Sequence, residues 1–284
     1  MANAIELFKQ YVPLLDEVYK TASTTADLDG DNGLATWGAT ANELVIPMMD
    51  MSGLRNYDRA SGYKDGKVTL TSQTKACNFD RGTMFYVDTL DNAETAGLAY
   101  GRLASEFIRT KVVPELDAFR YATYAQVEGV GKATGTLATG KAVVEALRTA
   151  IAEMDDAEVP MEGRVLKITS PVLGLIQDMD TTASREVLAR FTAIQVVPQT
   201  RFYTAIEQLD TEVGGYTKAT GGAEINFMIL HKSAVIQYQK HVAPKVIEPQ
   251  NNPKGDGWSF GYRNVGIAEV YKNKTVGIYV HAKA

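Results

Sequence analysis

The residues that could do chemistry in this 284-residue chain fall into a few short patterns. Gly135-Thr-Leu-Ala-Thr-Gly140-Lys141-Ala142 nearly matches a phosphate-binding loop and leads into a helix. Such a loop needs a magnesium-binding hydroxyl at position 142 and a buried strand before it. Ala142 has no hydroxyl and QVEGVGKA is no core strand, so the passage reads as a flexible loop capping the helix. Gly129-Val-Gly131 lacks the strand and spacing of a dinucleotide fingerprint. Asp27, Asp29 and Asp31 alternate as in a calcium loop, but Asn32 and Gly38 stand where the pattern needs glycine and a bidentate glutamate. A solvated acidic turn is expected there.

His231, His241 and His281 have no second ligand at metal-binding spacing, and His231 reads as a packing residue at a strand end. Cys77 carries no nucleophile signature and is the single cysteine, which excludes an intramolecular disulfide and suits a reducing compartment. No Ser/His/Asp set or carboxylate pair stands out. No catalytic residue, cofactor site or metal site is assigned, and an enzyme is not expected.

The elements that would carry these residues belong to a globular chain with 45% hydrophobic residues, large enough for two or three connected subdomains. A net charge of -5 gives no basic footprint for tight nucleic-acid binding, and neither a signal peptide nor a membrane-length apolar run is present. Residues 3–20 have two apolar rows at helical spacing, a face that must bury itself on its own domain or a neighbour. Residues 21–41 read as an extended arm or loop, and 42–90 as a long, largely polar hairpin with Asp65-Gly66 as its turn. Asp91 and Glu94 form a capping-box pattern at the head of a helix that Pro114 bends and that runs to about Ala125. Such a helix would span roughly 50 Å, a strut rather than a wall of a core.

Further along, the sequence predicts a helix over 141–154, a strand at Val165–Ile168, a helix opened by Pro171 and a strand at 193–198. Ile225–Leu230 reads as a strand, 232–240 as a short helix and Val242–Ile247 as a strand. A final hairpin is expected to pair Ile267–Tyr271 with Val276–Val280 across KNKT. The class is α+β, without the regular alternation of a doubly wound sheet.

Several ordered pieces resemble the major capsid proteins of tailed bacteriophages. They are Asp80-Arg81-Gly82 with its aromatic strand, Asp91-Asn92-Ala93-Glu94, and Val113-Pro114-Glu115 through Asp117, Ala118 and Arg120. EVPMEGRVLKITSPVL (158–173), VVPQTRFYT (196–204), INFMILHKSAVI (225–236), YKNKTVGIYVH (271–281) and the opening YVPLLDEVYK extend the likeness over nearly the whole chain. The resemblance implies the HK97-like fold. Residues 1–40 would be an N-terminal arm, and 41–90 the region of an extended hairpin loop (the E-loop, about 52–82). Residues 91–125 would be the spine helix of a peripheral domain and 126–250 an axial domain, with 251–284 returning as strands to the periphery.

It further implies a shell of pentamers and hexamers around non-specifically held double-stranded DNA. A portal protein at one vertex, a separate scaffolding protein, decoration proteins, a virion location and assembly in the host cytoplasm belong to the same expectation. No fused scaffolding segment is expected, because the chain starts directly with the arm. Inter-subunit contacts are expected at Phe8, Tyr11, Leu15, Arg55, Asp58, Arg59, Tyr63, Lys64, Arg81, Glu106 and Arg109. Some members cross-link a hairpin lysine to a distant asparagine; Lys64, Lys67, Lys75, Asn251, Asn252 and Asn273 are the residues at hand. The alternatives are an encapsulin-type nanocompartment shell, which shares the fold, and a nucleotide-dependent enzyme using 135–141, which Ala142 argues against.

Overall fold

The computed structural model describes residues 23–30, 43–59, 62–89, 106–253 and 255–284. The predicted arm helix at 3–20 and the capping box at Asp91 and Glu94 lie outside them. In chain order the strands are β1 (Glu43–Met51), β2 (Val68–Ala76), β3 (Phe79–Val87), β4 (Gly131–Thr134), β5 (Arg164–Ile168) and β6 (Ala193–Val196). They continue as β7 (Ile206–Gln208), β8 (Tyr216–Lys218), β9 (Ile225–His231), β10 (Val235–Ile247), β11 (Trp258–Val270) and β12 (Ile278–Ala282). The α-helices are α1 (Val113–Gln126), α2 (Gly140–Asp156), α3 (Ser170–Met179) and α4 (Thr182–Leu188).

The strands form a two-stranded ribbon β1-β2, a three-stranded sheet β10-β11-β3, a five-stranded sheet β4-β12-β9-β5-β6 and a small pair β7-β8. Within the five-stranded sheet β9 is buried from Ile225 through Leu230 and separates two cores. Phe227 and Ile229 pack with Val143, Leu147, Ile151 and Met154 of α2. Ile225, Met228 and Leu230 pack with Tyr121 and Tyr124 of α1 and with Ala268 and Val270 of β11. A strand covered on both faces reads as an apolar run, and Phe227 through Leu230 (FMIL) make one.

The helix at 140–156 forms as its spacing predicts. Thr139 caps it by accepting from the Ala142 backbone N–H at 3.3 Å. Gly140 has a packing role: a β-carbon there would sit 2.2 Å from the Leu175 carbonyl oxygen of α3. The glycine before Lys141 thus lets two helices touch. Pro171 lies in the first turn of α3, where its missing N–H costs nothing. A five-residue π-helical turn, Ile108–Val112, precedes α1, and Val112 and Val113 are both right-handed helical. The chain therefore runs helically into α1, with Pro114 in its first turn.

Three expectations change. The segment 232–240 is no helix: only Lys232–Ala234 make a 3-10 turn, and β10 begins at Val235. Val235, Ile236 and Gln237 are all buried, and pairing with β11 outweighs the local helical spacing. The terminal hairpin does not form either. β11 ends in the three-stranded sheet, a 3-10 stretch at Lys272–Gly277 intervenes, and β12 enters the five-stranded sheet between β4 and β9. The strands after 251 therefore part company, and the boundary drawn at 250 coincides with no sheet boundary. Finally, Asp65-Gly66 is not a tight turn; it sits near the end of a 52–67 connection between β1 and β2. The ribbon stops at Ala76, because Phe79 is buried and β3 pairs with Trp258–Gly266 of β11.

Replacing Gly140 by alanine is expected to destabilise the fold by about 1–3 kcal/mol through forced separation of α2 and α3. ATP with magnesium should leave the melting temperature of both proteins unchanged. Differential scanning fluorimetry reads both outcomes.

Candidate assembly surface and the clamp behind it

The strongest concentration of buried polar chemistry lies where residues 23–30 cross α1. Asp117 is fully buried. Its carboxylate accepts from the hydroxyls of Ser23 at 2.7 Å, Thr24 at 2.9 Å and Thr25 at 2.7 Å, and from the Thr24 backbone N–H at 2.8 Å. Arg201 adds an ion pair at 3.2 Å. One turn on, Arg120 donates to the Thr25 hydroxyl at 2.7 Å and pairs with Asp29 at 3.2 Å. Gln237 of β10 donates to the Thr25 carbonyl and to Asp29, each at 2.7 Å, and accepts from the Tyr124 hydroxyl at 2.7 Å. Lys167 of β5 donates to the Thr24 carbonyl at 2.8 Å, to Asp27 at 2.5 Å and to the Gln195 side chain.

Spacing explains how α1 manages this. Asp117, Arg120, Tyr121 and Tyr124 recur at three and four and so share one face. Burial pushes the phenols of Tyr121 and Tyr124 well above the ordinary tyrosine value. It also pulls the Lys167 ammonium down, which the neighbouring Asp27 opposes. Asp27 and Asp29 therefore hold cations of their own chain, not calcium, and the solvated acidic turn is corrected to an anchored one. The sequence carried Asp117 and Arg120 as motif members, but nothing in TASTTADLD announced their partners.

The second feature is the β1-β2 ribbon. Its register places Met49 opposite Leu70 and Met51 opposite Val68, with Val45 and Pro47 on the same face. Met49, Met51, Val68 and Leu70 are all exposed. The ribbon is tied down at its base, where Leu44 is buried with Ile236 and Ile267, and where Lys75 pairs with Glu269 at 2.9 Å. At its far end the Ser52 N–H donates to the Lys67 carbonyl at 2.9 Å, and the Tyr57 and Tyr63 rings lie 4.9 Å apart. An isolated two-stranded ribbon is marginal in water, and an exposed apolar stripe marks an interaction surface.

Of the predicted contact residues, Arg55, Asp58, Arg59, Tyr63 and Lys64 are exposed at this far end, with Tyr63 91% exposed. Phe8, Tyr11 and Leu15 lie outside the described residues. Glu106 and Arg109 are exposed and pair with each other at 2.7 Å. Arg81 is used within the subunit: it pairs with Glu115 at 2.8 Å and donates to the carbonyls of Leu209 at 2.8 Å and Gly215 at 3.3 Å. Among the candidate cross-linking residues, Lys75 is engaged with Glu269, and Asn252 donates to the Gly257 carbonyl at 2.6 Å. His231 donates from Nε2 to the Glu162 carbonyl at 2.8 Å and accepts at Nδ1 from the Ser233 backbone N–H at 3.3 Å, as a satisfied strand-end residue does. Among the described residues no cluster of metal-ligating side chains occurs, and no helix is long and apolar enough to cross a membrane.

The whole arrangement is similar to solved shell structures. A chain of Mycobacterium phage Che8 superposes with a TM-score of 0.62 at 15% identity, covering 91% of this chain and 90% of that one. The capsid structure of cyanophage P-SCSP1u gives 0.61 at 15%, covering 93% and 88%. The virus-like particle from Pyrococcus furiosus gives 0.63 at 12%, covering 96% and 98%. No family model and no curated protein matches the sequence. At such identities the likeness shows the fold: the chain has the α+β fold of phage capsid subunits, the HK97-like fold.

Asp117→Asn keeps the shape of the side chain but turns an acceptor into a donor facing donors. It is expected to cost about 3 kcal/mol. Urea unfolding measures the loss, and limited proteolysis should show cleavage near residues 23–30 that the unaltered protein resists.

Proposed function

We propose that this chain is the major capsid protein of a tailed bacteriophage, a structural subunit and not an enzyme. The observation that carries the reading is the β1-β2 ribbon, whose apolar face of Met49, Met51, Val68 and Leu70 is exposed. A folded body that carries such a surface on a projecting element is suited to burying it on a neighbouring copy. Heterologous contacts of this kind close into rings, and rings into shells. The fold shared with capsid chains supports the same reading.

In this assignment the β10-β11-β3 sheet with α1 forms the peripheral domain, and the five-stranded sheet with α2, α3 and α4 the axial domain gathered at pentamer and hexamer axes. The ribbon is the E-loop. The arm formed by residues 1–40 leads into the anchored stretch at 23–30 and reaches a neighbour through Phe8, Tyr11 and Leu15. A net charge of -5 fits an inner surface that tolerates double-stranded DNA without gripping it. A separate scaffolding protein, a portal at one vertex and decoration proteins complete the proposed virion, which assembles in the host cytoplasm. The likeness to the Pyrococcus furiosus particle favours a cargo-holding nanocompartment as the second reading.

Purified protein is expected to sediment as closed particles visible by negative-stain microscopy. Met51→Asp combined with Leu70→Asp should leave a folded subunit by circular dichroism while cutting the assembled fraction by about tenfold or more. A stable monomer from the unaltered sequence would overturn the proposal. Particles from infected cells that contain DNA support the phage reading, and particles that contain a second protein support the nanocompartment.

A further inference from the structure

We infer that the far end of the ribbon docks on the β7-β8 turn of a second copy, and that Arg81 holds this turn in the shape the contact needs. The inference rests on the shell reading above and names the two surfaces that meet.

The two surfaces are complementary in charge. Residues 52–67 carry four cations, Arg55, Arg59, Lys64 and Lys67, against the carboxylates of Asp58 and Asp65. All four cations are exposed. The β7-β8 pair, residues 206–218, carries Glu207, Asp210 and Glu212 against a single cation, Lys218, at its open end away from the turn. These three carboxylate residues are likewise exposed. In a chain whose net charge is only -5, a net-cationic ribbon end and a net-acidic β7-β8 pair on the same chain favour head-to-tail contact between copies and disfavour like-on-like pairing.

They are also complementary in apolar surface. Val213, at the tip of the acidic turn, is 90% exposed. Leu54 is fully exposed at the ribbon end, beside the Tyr57 and Tyr63 ring pair. Each surface thus presents apolar groups rimmed by charge, the layout of a contact core and its rim.

The turn is held rigidly. The Leu209 N–H donates to the Gly215 carbonyl at 2.8 Å and the Gly214 N–H to the Thr211 carbonyl at 3.0 Å. Gly214 and Gly215 take φ of 60° and 81°, the left-handed values that glycine adopts freely. From below, Arg81 of β3 binds the carbonyls of Leu209 and Gly215, and Glu115 of α1 fixes that guanidinium. Tyr216 adds a bond to the Thr200 carbonyl at 2.9 Å, and burial pushes its phenol up to about 12. A loop held this firmly loses little entropy when a partner arrives. Arg81 is therefore a positioning residue for the contact, acting through the turn.

Charge reversal tests the pairing in the full-length protein. Arg55→Glu with Arg59→Glu, and separately Asp210→Lys with Glu212→Lys, should each lower the assembled fraction by about tenfold. The chain carrying all four changes should assemble within about twofold of the original, because a reversed ribbon then meets a reversed turn. The two reversed proteins mixed in equal amounts should co-sediment as oligomers that neither forms alone, as a contact between copies requires. Assembly unaffected by the turn substitutions, or no rescue in the fourfold variant, would overturn the pairing while leaving the shell reading intact. If the unaltered protein forms no particles, the shell reading fails first. Arg81→Lys, which keeps the charge but not the forked contacts, should lower assembly with little change in the urea midpoint. An equal loss of assembly and stability would reduce Arg81 to a folding residue.

Discussion

A carboxylate with no access to water organises this subunit. Burying a carboxylate is costly unless donors surround it, and hydroxyls, a backbone N–H and Arg201 converge on Asp117. That requirement pins residues 23–30 across α1, and the pinned residues then collect Arg120, Lys167 and Gln237. These three come from α1, from the five-stranded sheet and from the three-stranded sheet. The two sheets and α1 are thus referenced to one point, and a short polar stretch far from them in sequence acts as their common brace. Removing a member strips its neighbours of part of their hydrogen bonding, so the network is cooperative.

The ribbon follows the opposite principle. One face of it sets Met49 opposite Leu70 and Met51 opposite Val68, and all four side chains are exposed. Only its base is fixed, by Leu44 and by Lys75 with Glu269. Stability is concentrated near the α1 crossing, and adhesiveness is displaced outward along a projection.

Helices 140–156 and 170–179 were legible because their signals are local: apolar spacing of three and four, a threonine cap, a proline at the start. Capsid-like motifs conveyed the fold class as a pattern of ordered pieces. What stayed hidden depends on distant partners. Val235–His241 has spacing compatible with either period, and only β11 decides it. KNKT looks like a hairpin connection until β12 is seen to find β9, about fifty residues away in sequence. Arg81 reads as a surface cation in Asp-Arg-Gly, because the carbonyls it binds belong to a turn more than a hundred residues later. DLDGD resembles an ion loop, and Asp27 and Asp29 within it instead meet cations that no local rule associates with them.

The position of β12 has a consequence for synthesis. Residues 278–282 are added late, yet they lie inside the five-stranded sheet, parallel to β4 on one side and antiparallel to β9 on the other. While the ribosome is still reading the codons before them, β4 has no neighbour, and Val130 and Phe227 lack part of their cover. A polypeptide broken off early therefore cannot close this domain.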